Sequence, residues 1–326
     1  MQIKQVCVLG GSGFVGSAIV HRLSNAGYQV KVLTRRREAS KHLILLPEVQ
    51  VVECDIMDDT ALAHEVSGSD AVINLVGILH ESGKASFDAM HAQLPTRLVD
   101  ICRNYGVHRL LHMSALQAGA DAPSAYLRSK AAGEAAVMKE AVQAEPLVME
   151  HGHQVQVTAF RPSVIFGRGD SFLNLFAKLV KYLPVIFLAK PDAKFQPVYV
   201  EDVASAFVQS LGNTDTYGRV YELAGPKAYT LRELVQYVAD VLGVKRRIVG
   251  LNDTLSYLQA HAMEFLPIKL MSRDNIASME IDSVSQAPFP VVFGFAPTAI
   301  ETVVPYYLTN ESPRNMYNRF RGAAGR

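Results

Sequence analysis

Tyr126 and Lys130 lie four residues apart in Ser124-Ala125-Tyr126-Leu127-Arg128-Ser129-Lys130, a spacing that puts both on one face of a helix. A phenol with an ordinary pKa near 10 is a poor base at neutral pH, but a neighbouring ammonium favours the phenolate. Ser114, twelve residues earlier, offers a hydroxyl that could hold a reacting oxygen beside it. Together these groups suit proton transfer to or from a carbonyl oxygen as charge develops there. The four-residue spacing is common by chance, so position carries the weight. The pair follows the fifth expected strand, and Ser114 stands at that strand's carboxyl end. The plainer alternative is a surface tyrosine over a lysine stem.

A second cluster lies near the amino terminus, in Leu9-Gly10-Gly11-Ser12-Gly13-Phe14-Val15-Gly16. The spacing lets Gly10 turn tightly, lets the backbone near Gly13 approach a pyrophosphate, and lets Gly16 pack against the preceding strand. An anion there would sit on a helix amino terminus, where free N–H groups favour negative charge. The second expected strand ends Thr34-Arg35-Arg36-Arg37, with no acid before Glu38. Forked cations suit a 2′-phosphate, so the site reads as preferring NADP(H) over NAD(H); a solvated basic turn is the alternative. Asp55 could accept from an adenine amino group, whereas Asp58 is read as a helix cap.

These residues need a scaffold, and the first 160 positions supply one. Strands are expected over residues 5–9, 29–34, 49–54, 71–76, 109–113 and 155–160, and helices over 13–26, 60–66, 87–105 and 124–140. The strands are nearly continuously apolar, as parallel strands covered on both faces must be. The alternation predicts an α/β, doubly wound parallel sheet. After Arg161 helical stretches dominate, at 172–182, 200–211, 231–242 and 254–265, with short strands near 195–198 and 220–223. Residues 1–165 are therefore expected to form the nucleotide-binding domain, re-entered by the chain after 190. Residues 166–326 are expected to form a smaller, mainly helical, substrate-side region over the carboxyl edge of the sheet.

Of 326 residues, 49% are apolar and 19% charged, which excludes intrinsic disorder as the main state. A net charge of +1 gives no general attraction to nucleic acid. Arg314, Arg319, Arg321 and Arg326 form a basic tail read as solvated. Cys7, Cys54 and Cys102 show no metal spacing and imply a reducing compartment, and His151 with His153 reads as a surface loop, so no metal is expected. The chain reaches its first strand within a few residues of Met1, which predicts no cleavable leader, and its longest apolar stretch, 182–189, is about half a membrane span. A cytoplasmic location is expected, with room for peripheral membrane contact.

The glycine loop, Asn74-Leu75-Val76-Gly77, Ser114, Tyr126 with Lys130, and Arg161-Pro162-Ser163-Val164 resemble a short-chain dehydrogenase/reductase of the extended or atypical kind, with a Rossmann fold. The stretches NLVGILHESGK, SAYLRSKAAGEAAV, RPSVIFGRGD, FQPVYVEDVA and YELAGPKAYTLREL are most similar to bacterial relatives of the nucleotide-binding accessory subunit of mitochondrial complex I. The resemblance runs to about Leu308. It implies an NADP(H) held by Gly10, Gly11, Ser12, Gly13, Phe14, Val15, Gly16, Thr34, Arg35, Arg36, Asp55, Ile56, Leu75, Val76, Gly77, Tyr126, Lys130, Pro162, Ser163 and Val164. It assigns catalysis to Ser114, Tyr126 and Lys130: Tyr126 as general acid/base, Lys130 orienting the nicotinamide ribose, Ser114 holding the carbonyl.

Three functions follow from the resemblance: an oxidoreductase acting on a carbonyl or hydroxyl, a non-catalytic cofactor-holding subunit or assembly factor associated with a respiratory complex, and a nucleotide-sugar epimerase/dehydratase. Two departures bear on the choice. His91 stands where related dehydrogenases place an asparagine, and Phe195 stands where epimerases commonly carry an arginine. Phe195, the run Val185-Ile186-Phe187-Leu188, and the stripe Leu251, Leu255, Leu258, Ala262 and Phe265 argue for an apolar or quinone-like small-molecule substrate, although such a stripe is more often core.

Overall fold

The computed structural model describes residues 3–83, 85–142, 154–265 and 271–309. His151, His153 and the basic tail from Arg314 lie outside the described residues.

Seven parallel strands form the central sheet: β1 (Gln5–Leu9), β2 (Gln29–Thr34), β3 (Val49–Glu53), β4 (Ala71–Asn74), β5 (Arg109–Met113), β6 (Gln156–Pro162) and, much later in the chain, Arg219–Leu223. Their order is Arg219–Leu223, β6, β5, β4, β1, β2, β3. The order reverses between β1 and β4, which pair in register from Val6↔Ala71 to Leu9↔Asn74. Such a reversal marks the place, outside the carboxyl edge, where doubly wound sheets bind ligands.

Alternation along β1 explains the two covered faces. Cys7 and Leu9 enter one buried cluster with Leu62, Leu98, Leu110 and Val157. Val6 and Val8 face the other way, with Val8 and Val32 against Val20 of the first helix, Phe14–Asn25. The helix Asp59–Val66 starts where Asp58 accepts hydrogen bonds from the Thr60 and Ala61 amides, as the cap reading expected. Between Phe87 and Tyr105 one long helix was expected; instead a π-helical turn, Asp88–Gln93, runs into an α-helix, Leu94–Asn104.

The chain falls into two compact units. The first comprises residues up to Pro162, Val200–Leu223 and Ser285–Phe295, and holds the entire central sheet. Its returning segment brings in the helix Val200–Ser210, tied by Glu201 to Arg22 at 3.0 Å. The same segment supplies acceptors for Arg109 on β5, which is 1% exposed. That guanidinium donates to the Ser210 carbonyl at 2.8 Å and to Thr216 Oγ1 at 3.0 Å, with Gln156 O and Thr158 Oγ1 from β6 completing its partners.

The second unit comprises Ser163–Tyr199, Ala224–Val284 and the chain from Ala296. Helices Leu173–Tyr182, Leu231–Val241 and Ile300–Leu308 pack a core of Phe176, Val180, Leu234, Val238 and Val304. Thr230 and Glu233 form a reciprocal capping box that starts Leu231–Val241. Short two-stranded ribbons complete the unit, among them Val185–Leu188 paired with Arg247–Gly250.

Candidate dinucleotide and proton-transfer site

Gly10 leaves β1 with φ +78°, a left-handed conformation that glycine tolerates. A methyl group there would meet the Leu75 carbonyl carbon at 3.1 Å, so the loop lies directly against the backbone leaving β4. Gly16 departs from its expected role. Rather than meeting the strand, it packs on the loop itself, where a Cβ would fall 2.3 Å from Gly10 O and 2.6 Å from Gly11 Cα. Gly11 is equally confined, with a Cβ 2.9 Å from Val32 Cγ1. Gly13 begins the first helix with no side chain capping it. The first-turn N–H groups, which have no acceptor within the helix, remain for an anion. Small residues, close backbone and an uncapped helix end together fit a pyrophosphate.

Around the loop, Ser12 Oγ and Thr34 Oγ1 are 3.4 Å apart. Arg35 and Arg36 are exposed and make no ion pair among the described residues. Asp55 Oδ1 accepts from the Met57 amide at 3.0 Å, and Ile56 packs on the core beneath it. Leu75 N donates to Leu9 O, and Val76 N to Asn74 Oδ1. That second bond ends β4 at Asn74, two residues before the expected limit.

The proton-transfer candidates gather on β5 and the helix Ala125–Val142. Lys130 is 3% exposed, and its Nζ donates to Met113 O at 2.9 Å, which ties the helix to the end of β5. Burial pushes its ammonium down to about 8. Nζ also lies 3.3 Å from where a Cβ on Gly77 would stand, so that glycine opens the backbone to the ammonium. Ser114, next after Met113, is 2% exposed, and its hydroxyl has no hydrogen-bond partner among the described residues. An orphaned buried hydroxyl costs on the order of 1–3 kcal/mol, a cost that a bound oxygen would remove.

Tyr126 lies deep in the same cluster. The ammonium was expected, together with an oxidised nicotinamide, to favour its phenolate; in the chain alone burial pushes the phenol up to about 12, while Lys130 is turned to Met113 O. The phenol is therefore neutral at pH 7. Phe87 and His91 wall it, with ring centroids 6.0 and 5.4 Å away and both edge-on.

His91 was singled out only as a departure from family pattern, and the structure gives it a defined job. Its Nε2 accepts from the Ile78 amide at 2.9 Å, so Nδ1 carries the proton and donates to Ser129 Oγ at 2.9 Å. Ser129 in turn donates to Tyr126 O. The imidazole thus pins the loop after β4 to the Tyr126 helix. Burial first, then the Lys130 charge, pushes His91 down to about 3. The π-helical turn carries the His91 carbonyl against Gly133, where a Cβ would stand 1.8 Å from it.

His112 on β5 went unnoticed in the sequence. It is 1% exposed; Asn74 Nδ2 donates to its Nδ1 at 3.3 Å, and its Nε2 has no partner among the described residues. Burial, Lys130 and His91 push it down to about 3. The signal available was a histidine directly after the apolar pair Leu110-Leu111 in that strand.

Pro162 ends β6, its carbonyl accepting from the Leu116 amide at 2.9 Å. Ser163 and Val164 belong to the second unit, where Ser163 Oγ donates to Ser283 O at 3.0 Å and Val164 O accepts from Val198 N. Their hydroxyl and carbonyl are thus engaged within that unit. Phe195 packs on Phe172 at 5.5 Å beside that unit's core, and Lys194 pairs with Asp282. Among the described residues no cluster of His, Cys, Asp or Glu could hold a metal, and no helix is long and apolar enough to cross a membrane.

Known proteins add a family. The chain is 31% identical over 263 residues to the mitochondrial NADH dehydrogenase (ubiquinone) 1 alpha subcomplex subunit 9 of Dictyostelium discoideum, covering 79% of this chain and 70% of that one. It spans between 59% and 70% of the length of the mitochondrial subunits of this kind that it matches. A ceramide reductase of Caulobacter vibrioides is 29% identical over 76% of this chain and 74% of its own. In fold, an NADPH-dependent quinone oxidoreductase of Escherichia coli superposes with a TM-score of 0.70, covering 92% of this chain and 98% of that one at 17% identity. The match to the family described as NAD dependent epimerase/dehydratase covers residues 6–224, from inside β1 to the residue after the last strand of the sheet. That stretch contains every group of the loop and of the proton-transfer cluster, and the chain belongs to the NAD-dependent epimerase/dehydratase family.

Proposed function

We propose that this protein is an NADP(H)-dependent reductase acting on the carbonyl group of an apolar or amphipathic molecule. The observation that carries the reading is the buried, unpartnered Ser114 hydroxyl at the end of β5, beside the backbone that anchors Lys130. Bound nicotinamide would supply the hydride. The chain's own residues do the rest: Ser114 donates to the substrate oxygen, the neutral Tyr126 phenol gives it a proton, and Lys130 keeps N–H groups beyond its Met113 bond for the cofactor's ribose. Gly10 to Gly16 would hold the pyrophosphate.

Preference for the 2′-phosphate rests on Arg35 and Arg36, exposed and without ion pairs at the end of a strand that lacks an acid. Each charge-assisted contact contributes about 1.5–3 kcal/mol. Removing one such contact should weaken NADPH binding about 10- to 100-fold, and an Arg35→Ala, Arg36→Ala variant should therefore bind NADPH about 10²- to 10⁴-fold more weakly with NADH affinity unchanged. Titration calorimetry measures both, and equal affinities in the wild type would overturn the assignment.

Substrate class is supported by Phe195, which packs on Phe172 where an epimerase commonly offers a diphosphate partner, and by the name of the ceramide reductase relative. A thermal-shift and NADPH-oxidation screen comparing short-chain quinones, acyl ketones and UDP- or TDP-sugars tests it. Stabilisation by a sugar nucleotide alone would promote epimerase or dehydratase chemistry. A second reading is a cofactor-holding subunit or assembly factor of a respiratory complex, favoured by the 31% identity to the mitochondrial subunit. Tight NADPH binding with no turnover on any carbonyl would favour it.

A further inference from the structure

The second unit carries an apolar surface that its own core does not use. The helix Asp253–Glu264 is anchored through small residues, Ser256 and Ala260, both fully buried. Ser256 Oγ accepts from the Lys190 amide, and Gln259 Nε2 donates to Phe187 O at 3.0 Å. Its large residues point elsewhere: Leu258 is 61% exposed, Leu255 47%, and Phe265, just past the helix, 77%. The adjoining ribbon continues the surface. Ile186 and Leu188 enter the core, while Phe187 stands 57% exposed beside Val249, its register partner. Tyr182 and Leu183, which lead into that ribbon, are 76% and 44% exposed.

Cations border this surface. Residues 173–190 and 243–252 contain Lys178, Lys181, Lys190, Lys245, Arg246 and Arg247 and no acid. Arg247 is the register partner of Val185, and Arg246 Nε donates to Val180 O at the end of the helix preceding Tyr182. On the helix, Asp253 is paired with Lys190 at 2.9 Å and Glu264 with Arg273 at 3.0 Å. Lys181, Lys245 and Arg247 make no ion pair among the described residues.

We infer that this face of the second unit docks on an anionic lipid bilayer surface. Exposed aromatic and aliphatic side chains on adjoining elements, edged by unpaired cations, match an interface of acyl chains beneath negative headgroups. Each cation near such a surface strengthens binding about fivefold, and salt screens that contribution. A protein partner of mixed surface would not need unpaired charges of a single sign.

Flotation of the full chain with phosphatidylcholine vesicles, with and without phosphatidylglycerol, tests the inference. The protein should float with the anionic vesicles at low salt and be released at high salt. Phe187→Glu with Leu258→Glu, and separately Lys181→Glu with Arg247→Glu, should each weaken binding about tenfold or more. All four side chains stand at the surface, so both variants should melt as the wild type does, and lost binding then reports on the surface. No flotation, or flotation indifferent to lipid charge, would overturn the inference. Sedimentation showing a dimer that Leu258→Glu dissolves, without lipid binding, would assign the face to a second copy instead.

Discussion

Tyr126→Phe should lower carbonyl turnover by about 10²- to 10⁴-fold, the usual contribution of a positioned general acid, and leave NADPH affinity within about twofold. The phenol oxygen is the only group removed; the ring stays between Phe87 and His91, so the walls of the site persist. With the phenol pushed up to about 12, the donor stays protonated throughout the working pH range. Wild-type reduction should therefore decline only above about pH 8, where Lys130 gives up its charge. Stopped-flow and steady-state NADPH oxidation on the substrate found by screening measure both effects. A phenylalanine variant that turns over at the wild-type rate would refute the reductase reading and favour the cofactor-holding one.

The second large effect is on stability. His91 and His112 are buried and neutral in the folded chain, both held near 3, against about 6.5 in an unfolded chain. As pH falls below 6.5 the unfolded state takes up protons first, so folding loses free energy until the folded values are reached near 3. Each histidine contributes about 1.4 kcal/mol per pH unit in that window. From about pH 7.5 to about pH 5 the pair should cost roughly 4 kcal/mol, a large part of the usual 5–15 kcal/mol of a domain. Urea denaturation at about pH 7.5 and about pH 5 reads the difference directly. His112→Gln should roughly halve the slope with pH. A stability that does not fall between those two pH values would show that neither ring is held neutral by the fold.

Much of the scaffold was legible because parallel strands buried on both faces must be apolar throughout. β1, β2 and β5 begin and end where the pattern placed them, and the glycine loop announced its own position. Three things were not legible, each for a physical reason. The broken helix near His91 depends on a carbonyl backed against Gly133 and on a ring accepting from Ile78, contacts between distant segments that leave no mark on local periodicity. The ribbon formed by Val185–Leu188 and Arg247–Gly250 joins segments some sixty residues apart, so an apolar run read as ligand lining is half core. The stripe from Leu251 to Phe265 misled by size. Large apolar residues usually mark the buried face, but here Ser256 and Ala260 make the close approach and Leu255, Leu258 and Phe265 remain outside. In the site itself, the side-chain types were readable; the upward shift of the Tyr126 phenol was not, because it depends on how deeply the fold buries the ring.

The late return of Arg219–Leu223 to the sheet has a consequence for the order of assembly. A nascent chain complete through Pro162 owns six of seven strands, but β6 is then an open edge that offers unpaired backbone to any neighbouring chain. About sixty residues must still be made before its partner arrives, a wait of several seconds at translation speeds of about 5–20 residues per second. Arg109 shares the wait: two of its hydrogen-bond acceptors, Ser210 and Thr216, lie on the segment still to come. The guanidinium must stay hydrated until then, which keeps water at the base of β5 and delays closure of that end of the sheet. Sealing it is thus a late event, and in the interval before it the open edge of β6 exposes the growing chain to misassembly.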